Sequence, residues 1–466
     1  MSSPRPNICD ILPPEIFTLI FEFACYRSYD ERCHVARRVD SMWGPNEEEI
    51  WDPSVTPLII GAVCSHWRSI TLSEPRLWRQ IDVPVNTDRA DARANMLQYF
   101  LFNSGQHSLD VRLLYKSEDN PDEYSISESS PLPTTAIEIL VPHSHRLHTL
   151  ETIAPFEWED ALNRLANHLS MLTRLTLRNY NTPSRYRFDF FANAPRLRDV
   201  TLYGIHLDSV KLPFAQLERF DFDPNDKLDS LEPLRRCPHL RHCALVSVFR
   251  SSRIKHLALE TLEIYSDYSD HLKALLQILE LPALRTLLIH FHPYFEEVEQ
   301  PIVREFFQRS PCALESLTLI YATPDEREFL ALLQELPTLR VLRIHNNLHL
   351  FKTGTLTPKS LRLMTPRKSV SLISDDEGLE GEEQDPSEPC LVPNLETFHY
   401  EGHLGIALNA LLEFLEGRWC GGNTTVSKLQ SVWFATRPRV EFDESDAVIV
   451  DRLREEGMHL EFLVAN

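Results

Sequence analysis

Residues 259–289 read LETLEIYSDYSDHLKALLQILELPALRTLLI, and this stretch decides the fold. It opens and closes on one pattern, LxxΦxΦ with Φ apolar or aromatic: LETLEI at 259 and LRTLLI at 284. Alternation with period 2 is the mark of a strand with one buried face. Between the two motifs, His271–Leu281 places Leu272, Leu275, Leu276 and Leu279 at helical spacing, on one face. Pro282 stands two residues before Leu284. A proline ends a helix, because it has no N–H to donate, and is tolerated where a strand begins. The unit is therefore helix, proline stop, short strand.

The same unit recurs in both directions. LxxΦxΦ is read as LTRLTL at 172, LRDVTL at 197, LERFDF at 217, LRHCAL at 240 and LESLTL at 314, then as LRVLRI at 339, LETFHY at 395 and LQSVWF at 429. From 172 to 339 the steps are 25, 20, 23, 19, 25, 30 and 25 residues, the period of a leucine-rich repeat apart from the steps of 19 and 30. Pro195, Pro238, Pro337 and Pro393 hold the place of Pro282 in their repeats. Asp325–Leu336 repeats the helical spacing with Phe329, Leu332, Leu333 and Leu336. Stacked in register, such units make an α/β solenoid, with a parallel sheet on one face and helices on the other. The repeats are irregular. The asparagine that usually turns the backbone after each strand is present only as Asn225 and Asn347. Weaker strands are expected at 81–83, 109–113 and 147–153, a helix at 91–102 and a last strand at 459–464.

Two segments interrupt the array. Ser117–Pro131 is polar, acidic and serine-rich, and the stretch from about 354 to 393 contains Ser374–Pro389, with eight carboxylates in sixteen residues and no base. Such composition cannot bury enough apolar surface to offset the entropy of ordering, so the longer stretch is expected to be a disordered loop.

Composition narrows the function. The chain has 466 residues, with 47 Lys+Arg against 68 Asp+Glu, a net charge of −21. A general nucleic-acid binder needs a basic surface, so that class is excluded as a first reading. With 13 glycines, no GxGxxG and no GxxxxGK[ST], the common nucleotide-dependent enzymes have no phosphate loop to use. No GxSxG marks a hydrolase. The nine cysteines include no CxxC pair, which reads as buried thiols in a reducing compartment. No run of 18 apolar residues and no signal-peptide pattern occurs, so the expected location is cytoplasmic or nuclear. Histidine clusters at His143, His145 and His148, at His290 and His292, and at His345 and His349 lack a nearby cysteine or carboxylate ligand. They are read as loop and strand-edge residues, with no metal and no cofactor expected.

Residues 8–83 follow a different logic. Pro13 and Pro14 open a helix, and Ile16–Ala24 (IFTLIFEFA) has seven apolar residues in nine. A helix apolar nearly all round must be buried nearly all round, so part of it requires a partner or the adjoining repeats. Leu58–Thr71 (LIIGAVCSHWRSIT) gives a second helix and Glu74–Ile81 (EPRLWRQI) a short third. LPPEIFTLIF, VCSHWRSIT and EPRLWRQI in this order resemble an F-box, matching its pattern at Leu12, Pro13, Glu15, Ile16, Ile20, Val63, Cys64, Trp67, Pro75, Leu77 and Trp78. The match covers about 70 residues. An acidic segment, residues 26–57, is inserted between the first and second helices. With the repeats of 84–466 behind it, the chain is similar to the F-box/leucine-rich-repeat proteins abundant in mushroom-forming (basidiomycete) fungi.

The resemblance implies a non-catalytic substrate receptor of a Skp-cullin-F-box type ubiquitin ligase. The F-box would dock a Skp-type adaptor, and through it a cullin-RING scaffold, while the repeats hold a target protein; neither nucleic acid nor membrane is a partner. The alternative is a leucine-rich-repeat interaction scaffold acting outside ubiquitylation. Strand alternation names the target-binding face: residues flanking the two Φ positions point away from the helices. That rule selects Arg174, Thr176, Arg178, Asp199, Thr201, Tyr203, Arg219, Asp221, Asp223, Glu263 and Tyr265, then His290, Arg343, His345, His399 and Trp433, with Leu288 and Ile320 as apolar members. Tyr, Trp and Arg among them are the types that dominate binding hot spots.

Overall fold

The computed structural model describes residues 12–25, 56–85, 89–114, 134–153, 158–165, 168–179, 189–223, 231–246, 252–266, 269–291, 302–321, 325–346, 356–366, 390–403, 406–420, 426–437 and 442–464. The chain divides into two compact units, Met1–Asp226 and Lys227–Asn466.

The first unit begins with three helices, α1 (Pro14–Cys25), α2 (Pro57–Val63) and α3 (Ser65–Ser73), and a 3-10 turn, Pro75–Trp78. Then come β1 (Gln80–Pro84), α4 (Ala90–Asn103), β2 (Leu109–Leu114), α5 (Thr135–Leu140), β3 (Leu147–Ile153), α6 (Glu159–Asn163), β4 (Arg174–Arg178), β5 (Asp199–Tyr203) and β6 (Arg219–Asp223). Each strand pairs in parallel with the next, from β1 to β6. Such chain-order pairing is what stacked repeats produce. The strands expected at 81–83, 109–113 and 147–153 and the helix at 91–102 are all present.

The second unit comprises α7 (Glu232–Arg236), β7 (His242–Val246), β8 (Ile254–Lys255), β9 (Thr261–Ser266), α8 (Ser269–Ile278), β10 (Leu279–Glu280), β11 (Thr286–Phe291), α9 (Ile302–Arg309), β12 (Ser316–Ile320) and α10 (Glu326–Gln334). It continues with β13 (Val341–His345), α11 (Pro358–Met364), β14 (Thr397–His403), α12 (Leu408–Cys420), β15 (Ser431–Arg437), α13 (Glu444–Glu455) and β16 (His459–Val464). β7, β9, β11, β12, β13, β14, β15 and β16 pair in parallel in that order. β8 and β10 form a separate two-stranded pair.

All ten motifs become strands, and their Φ residues, such as Leu262, Ile264, Leu287, Ile289, Leu342 and Ile344, are buried against the helical side. The residue just before each of six successive strands, β7, β9, β11, β12, β13 and β14, carries an alternating charge that the sequence reading passed over. Arg241, Glu260, Arg285, Glu315, Arg340 and Glu396 lie on successive strands, linked by backbone bonds such as Arg285 N–H to Glu260 O at 2.8 Å and Glu315 N–H to Arg285 O at 2.8 Å. Their side chains pair as Arg241–Glu260 (3.3 Å), Arg285–Glu315 and Arg340–Glu396 (2.8 Å). Opposite charges in neighbouring register support the stacking, where like charges would repel.

Three expectations are corrected. The helix at 271–281 ends at Ile278, because Leu279 and Glu280 leave it to pair with β8. Around β5 and β6 the far side of the sheet carries 3-10 turns, Phe190–Asn193, Leu207–Ser209 and Phe214–Gln216, in place of α-helices. The 20-residue step from the motif at 197 to that at 217 leaves too little chain for a helix and two connections, and a 3-10 turn spans more length per residue. Finally, the stretch read as a disordered loop from about 354 to 393 contains α11, with Thr357 and Ser360 forming a capping box and Leu361 and Met364 buried. Leu391 and Val392 are buried as well. The acidic composition of the stretch as a whole masked this short amphipathic piece. Ser374–Pro389, Ser117–Pro131, most of the insertion at 26–57, and Asn225 and Asn347 lie outside the described residues.

Candidate protein-binding surfaces

α1 carries two apolar stripes. Phe17 and Phe21, at i and i+4, are 3% and 2% exposed, and both pack on Trp67 of α3, with ring centroids 6.0 and 5.0 Å apart. Ile16, Leu19, Ile20 and Phe23 follow the i, i+3, i+4, i+7 spacing of a second stripe, and are 39, 60, 48 and 88% exposed. α2 adds exposed Leu58, Ile59 and Val63. Large apolar side chains grouped in this way on a surface mark an interaction site.

The rest of this helical segment supports those stripes. Thr56 caps α2 through Ile59 N–H, and Pro57 takes the first helical position. Cys64 Sγ accepts from Trp67 N–H at 3.4 Å at the start of α3. Gly61 lets the two helices close: an added Cβ would lie 3.1 Å from Thr71 Oγ1. Trp78 is fully buried, donates from its indole N–H to Thr71 O at 2.7 Å, and meets Tyr99 and Phe100 of α4 edge-on. Leu77 is buried beside it. Leu12 and Trp67 are half-buried, while Pro13 and Glu15 are exposed. Thus Ile16, Ile20 and Val63 of the predicted set lie on the surface, Leu77 and Trp78 in the core, and Cys64 in a helix cap. Sequence reasoning passed over Leu19, Phe23, Leu58 and Ile59, although the spacing of 16, 19, 20 and 23 was there to read. A cavity of about 360 Å³ adjoins the end of α1, lined by Glu22, Phe23, Cys25, Arg76, Leu77, Arg79 and Gln80. Arg76 at its rim is held by Glu74 at 2.8 Å, and its hydrogen bond keeps the Glu74 carboxyl below its ordinary range.

On the open face of the first unit's sheet, the charges are engaged with one another. The middle row runs Asp82, Arg112, Glu151, Thr176, Thr201, Asp221 by register. Glu151 accepts from Arg112 at 3.1 Å and from Arg178 at 3.0 Å, and Arg112 also faces Asp82 at 3.6 Å. Asp199 lies 3.6 Å from Arg174 and 3.9 Å from Arg219, and Arg219 is 3.6 Å from Asp221. The Arg178 guanidinium sits 5.0 Å from the centre of the Tyr203 ring. Arg112, Glu151, Thr176, Arg178, Thr201 and Asp221 are buried by this mutual packing, although they point away from the helices. Arg112 and Glu151 were absent from the predicted set because their strands lack the clear motif.

The second unit differs. Its middle row is Ala244, Glu263, Leu288, Thr318, Arg343, His399, Trp433, Glu461. Glu263 is engaged by the Tyr265 hydroxyl at 3.0 Å and by His242 at 3.4 Å. Tyr265 meets His290 edge-on at 5.6 Å. His345 pairs with Glu401 at 2.8 Å. Trp433 lies 6.0 Å from the His399 ring and 6.4 Å from that of His345. Leu288 and Ile320 are half-buried on the same face. Arg343 is half-buried, and among the described residues it has no carboxylate partner and no hydrogen bond. Burial draws its pKa down, and burial, with Arg343 and His345 adding, also holds His399 below its ordinary value.

The described cysteines are free thiols. Burial pushes Cys25 and Cys312 up to about 11 and Cys237 up to about 12, so these three are protonated at neutral pH. Among the described residues no helix is long and apolar enough to cross a membrane.

No known protein-family pattern matches the chain, and no curated protein matches it. Among solved structures it is similar to one described as "Crystal structure of Rad7 and Elc1 complex in yeast", at 13% identity over 88% of this chain and 96% of that one, with a TM-score of 0.31. A likeness of that degree carries no argument about function.

Proposed function

We propose that this chain is the non-catalytic substrate-recognition subunit of a Skp-cullin-F-box type ubiquitin ligase. Residues 8–83 act as an F-box, and the repeats of 84–466 hold the target. One observation carries the reading: α1 presents a complete second apolar stripe, Ile16, Leu19, Ile20 and Phe23, to solvent after its first stripe is buried on Trp67. Water solvates such a stripe poorly, and another protein's apolar surface would cover it. The F-box resemblance of the same residues supplies the partner, a Skp-type adaptor bound to a cullin-RING scaffold.

Co-expression with a Skp-type adaptor and a cullin, followed by size exclusion, tests the proposal. The three should elute together, and Ile16→Asp with Ile20→Asp should release the adaptor while leaving the chain folded. A folded chain that never associates with the adaptor would leave the repeat array as an interaction scaffold outside ubiquitylation.

A further inference from the structure

Among the described residues, one cation on the open face of the second unit, Arg343, has no carboxylate partner and no hydrogen bond. The buried Arg146 and Arg418 also lack a carboxylate, but their guanidinium groups donate to oxygens, Arg146 to His107 O at 2.9 Å and Arg418 to Leu395 O at 2.7 Å, whereas Arg343 has no such acceptor among the described residues. The contrast with the first unit sharpens it, since there Arg112, Arg174, Arg178 and Arg219 all face carboxylates within 4 Å. Half-burying a guanidinium without a counter-charge is unfavourable, and an arriving anion reverses that cost. Arg343 does not stand alone. His399 on the next strand and Trp433 on the one after lie beside it in register, and neither makes a hydrogen bond among the described residues.

We propose that Arg343, His399 and Trp433 form the specificity site for the target, and that it takes a single aspartate or glutamate side chain of an extended target peptide. This rests on the reading of the repeats as the target-holding part of the chain. The occupant follows from charge. The site offers one fixed positive charge, because His345 is tied to Glu401 at 2.8 Å and burial disfavours the charged form of His399. One half-buried guanidinium matches a carboxylate monoanion in a bidentate pair, whereas a phosphate dianion would leave one of its two charges without a counter-charge. Neighbouring strands lie about 4.8 Å apart, so Leu288 and Trp433, each two strands from Arg343, sit about 10 Å to either side. An extended peptide advances about 3.3 Å per residue, which places an apolar residue about three positions from the acid on one side, on Leu288 and Ile320, and an aromatic or aliphatic one about three positions away on the other, on Trp433.

A phage-displayed library of linear peptides, panned on the full chain, tests this. The selected peptides should share one Asp or Glu with apolar residues about three positions away on both sides. In fluorescence anisotropy, Gln in place of that acid should weaken a selected peptide tenfold or more on the wild-type chain and less than twofold on Arg343→Gln. Arg285→Gln, which removes a surface partner of Glu315, serves as control and should bind like wild type. If Arg343→Gln fails to fold, His399→Glu supplies the second variant. It sets a carboxylate opposite Arg343 in register and should abolish the preference for acid equally. The proposal is overturned if no acidic consensus emerges, if the Glu-to-Gln penalty survives in the folded variants, or if phosphoserine in the acid's place binds tenfold tighter than Glu. Adaptor binding by the same variants keeps the two readings apart. Peptide selection without adaptor binding would sink the ligase reading and leave this site standing, and adaptor binding without acidic selection would do the reverse.

Discussion

Replacing Leu19, Ile20 and Phe23 together with alanine separates the two stripes of α1. The three side chains are 60, 48 and 88% exposed, so covering them removes about two full side chains from water. At about 1.5–3 kcal/mol for each large apolar side chain, that is about 3–6 kcal/mol of adaptor binding, or at least a hundredfold in Kd. The folded state loses little, because these atoms already face water, and alanine favours a helix more than any of the three. Phe21→Ala is the counterpart. It removes a side chain that is 2% exposed and packed 5.0 Å from Trp67, so it should cost about 3–5 kcal/mol of stability. Isothermal titration against a purified Skp-type adaptor, with a thermal melt of each variant, reads both effects. If the triple variant binds the adaptor within tenfold of wild type while its melt is unchanged, the exposed stripe is not the docking surface and the reasoning fails.

Other outcomes follow from the same geometry. Glu151→Gln should cost about 3 kcal/mol or more in urea unfolding, because it withdraws the charge that faces two buried guanidinium groups at 3.1 and 3.0 Å; a loss under 1 kcal/mol would refute the coupling. Trp78→Phe keeps the ring packing but strips Thr71 O of its buried donor, and should lower stability by about 1–3 kcal/mol in the same assay. His399 sits below its ordinary pKa through burial, with Arg343 and His345 on β13 and His459 on β16 adding and Glu461 on β16 opposing. As pH falls through the ordinary histidine range, the unfolded chain takes up the proton first, so the folded state loses stability. The melting temperature of wild type should therefore drop further between about pH 7.5 and pH 5.5 than that of His399→Asn, and equal drops would refute the assignment.

The sequence by itself determined the repeat. A period-2 motif followed by helical spacing and a proline stop is a local signal, written within about 30 residues, and it located the ten motif strands and the parallel stacking. It also announced that α1 is too apolar to be solvated, because that is a statement about composition around one helix. What it could not divide was that helix's circumference. Phe17 and Phe21 are inward because Trp67, some 46 residues later, reaches them, and only the packing of α3 against α1 leaves Ile16, Leu19, Ile20 and Phe23 outside. The open face of the sheet followed the same division. Alternation correctly predicted which residues point away from the helices, since that is fixed by the pleat of each strand. Whether Arg178 and Arg343 are alike was decided across strands. Register sets Arg178 diagonally beside Glu151 and sets Arg343 between Thr318 and His399, so one arginine is neutralised and the other has no carboxylate partner among the described residues, because charge pairing depends on neighbours that the chain brings together only when it folds.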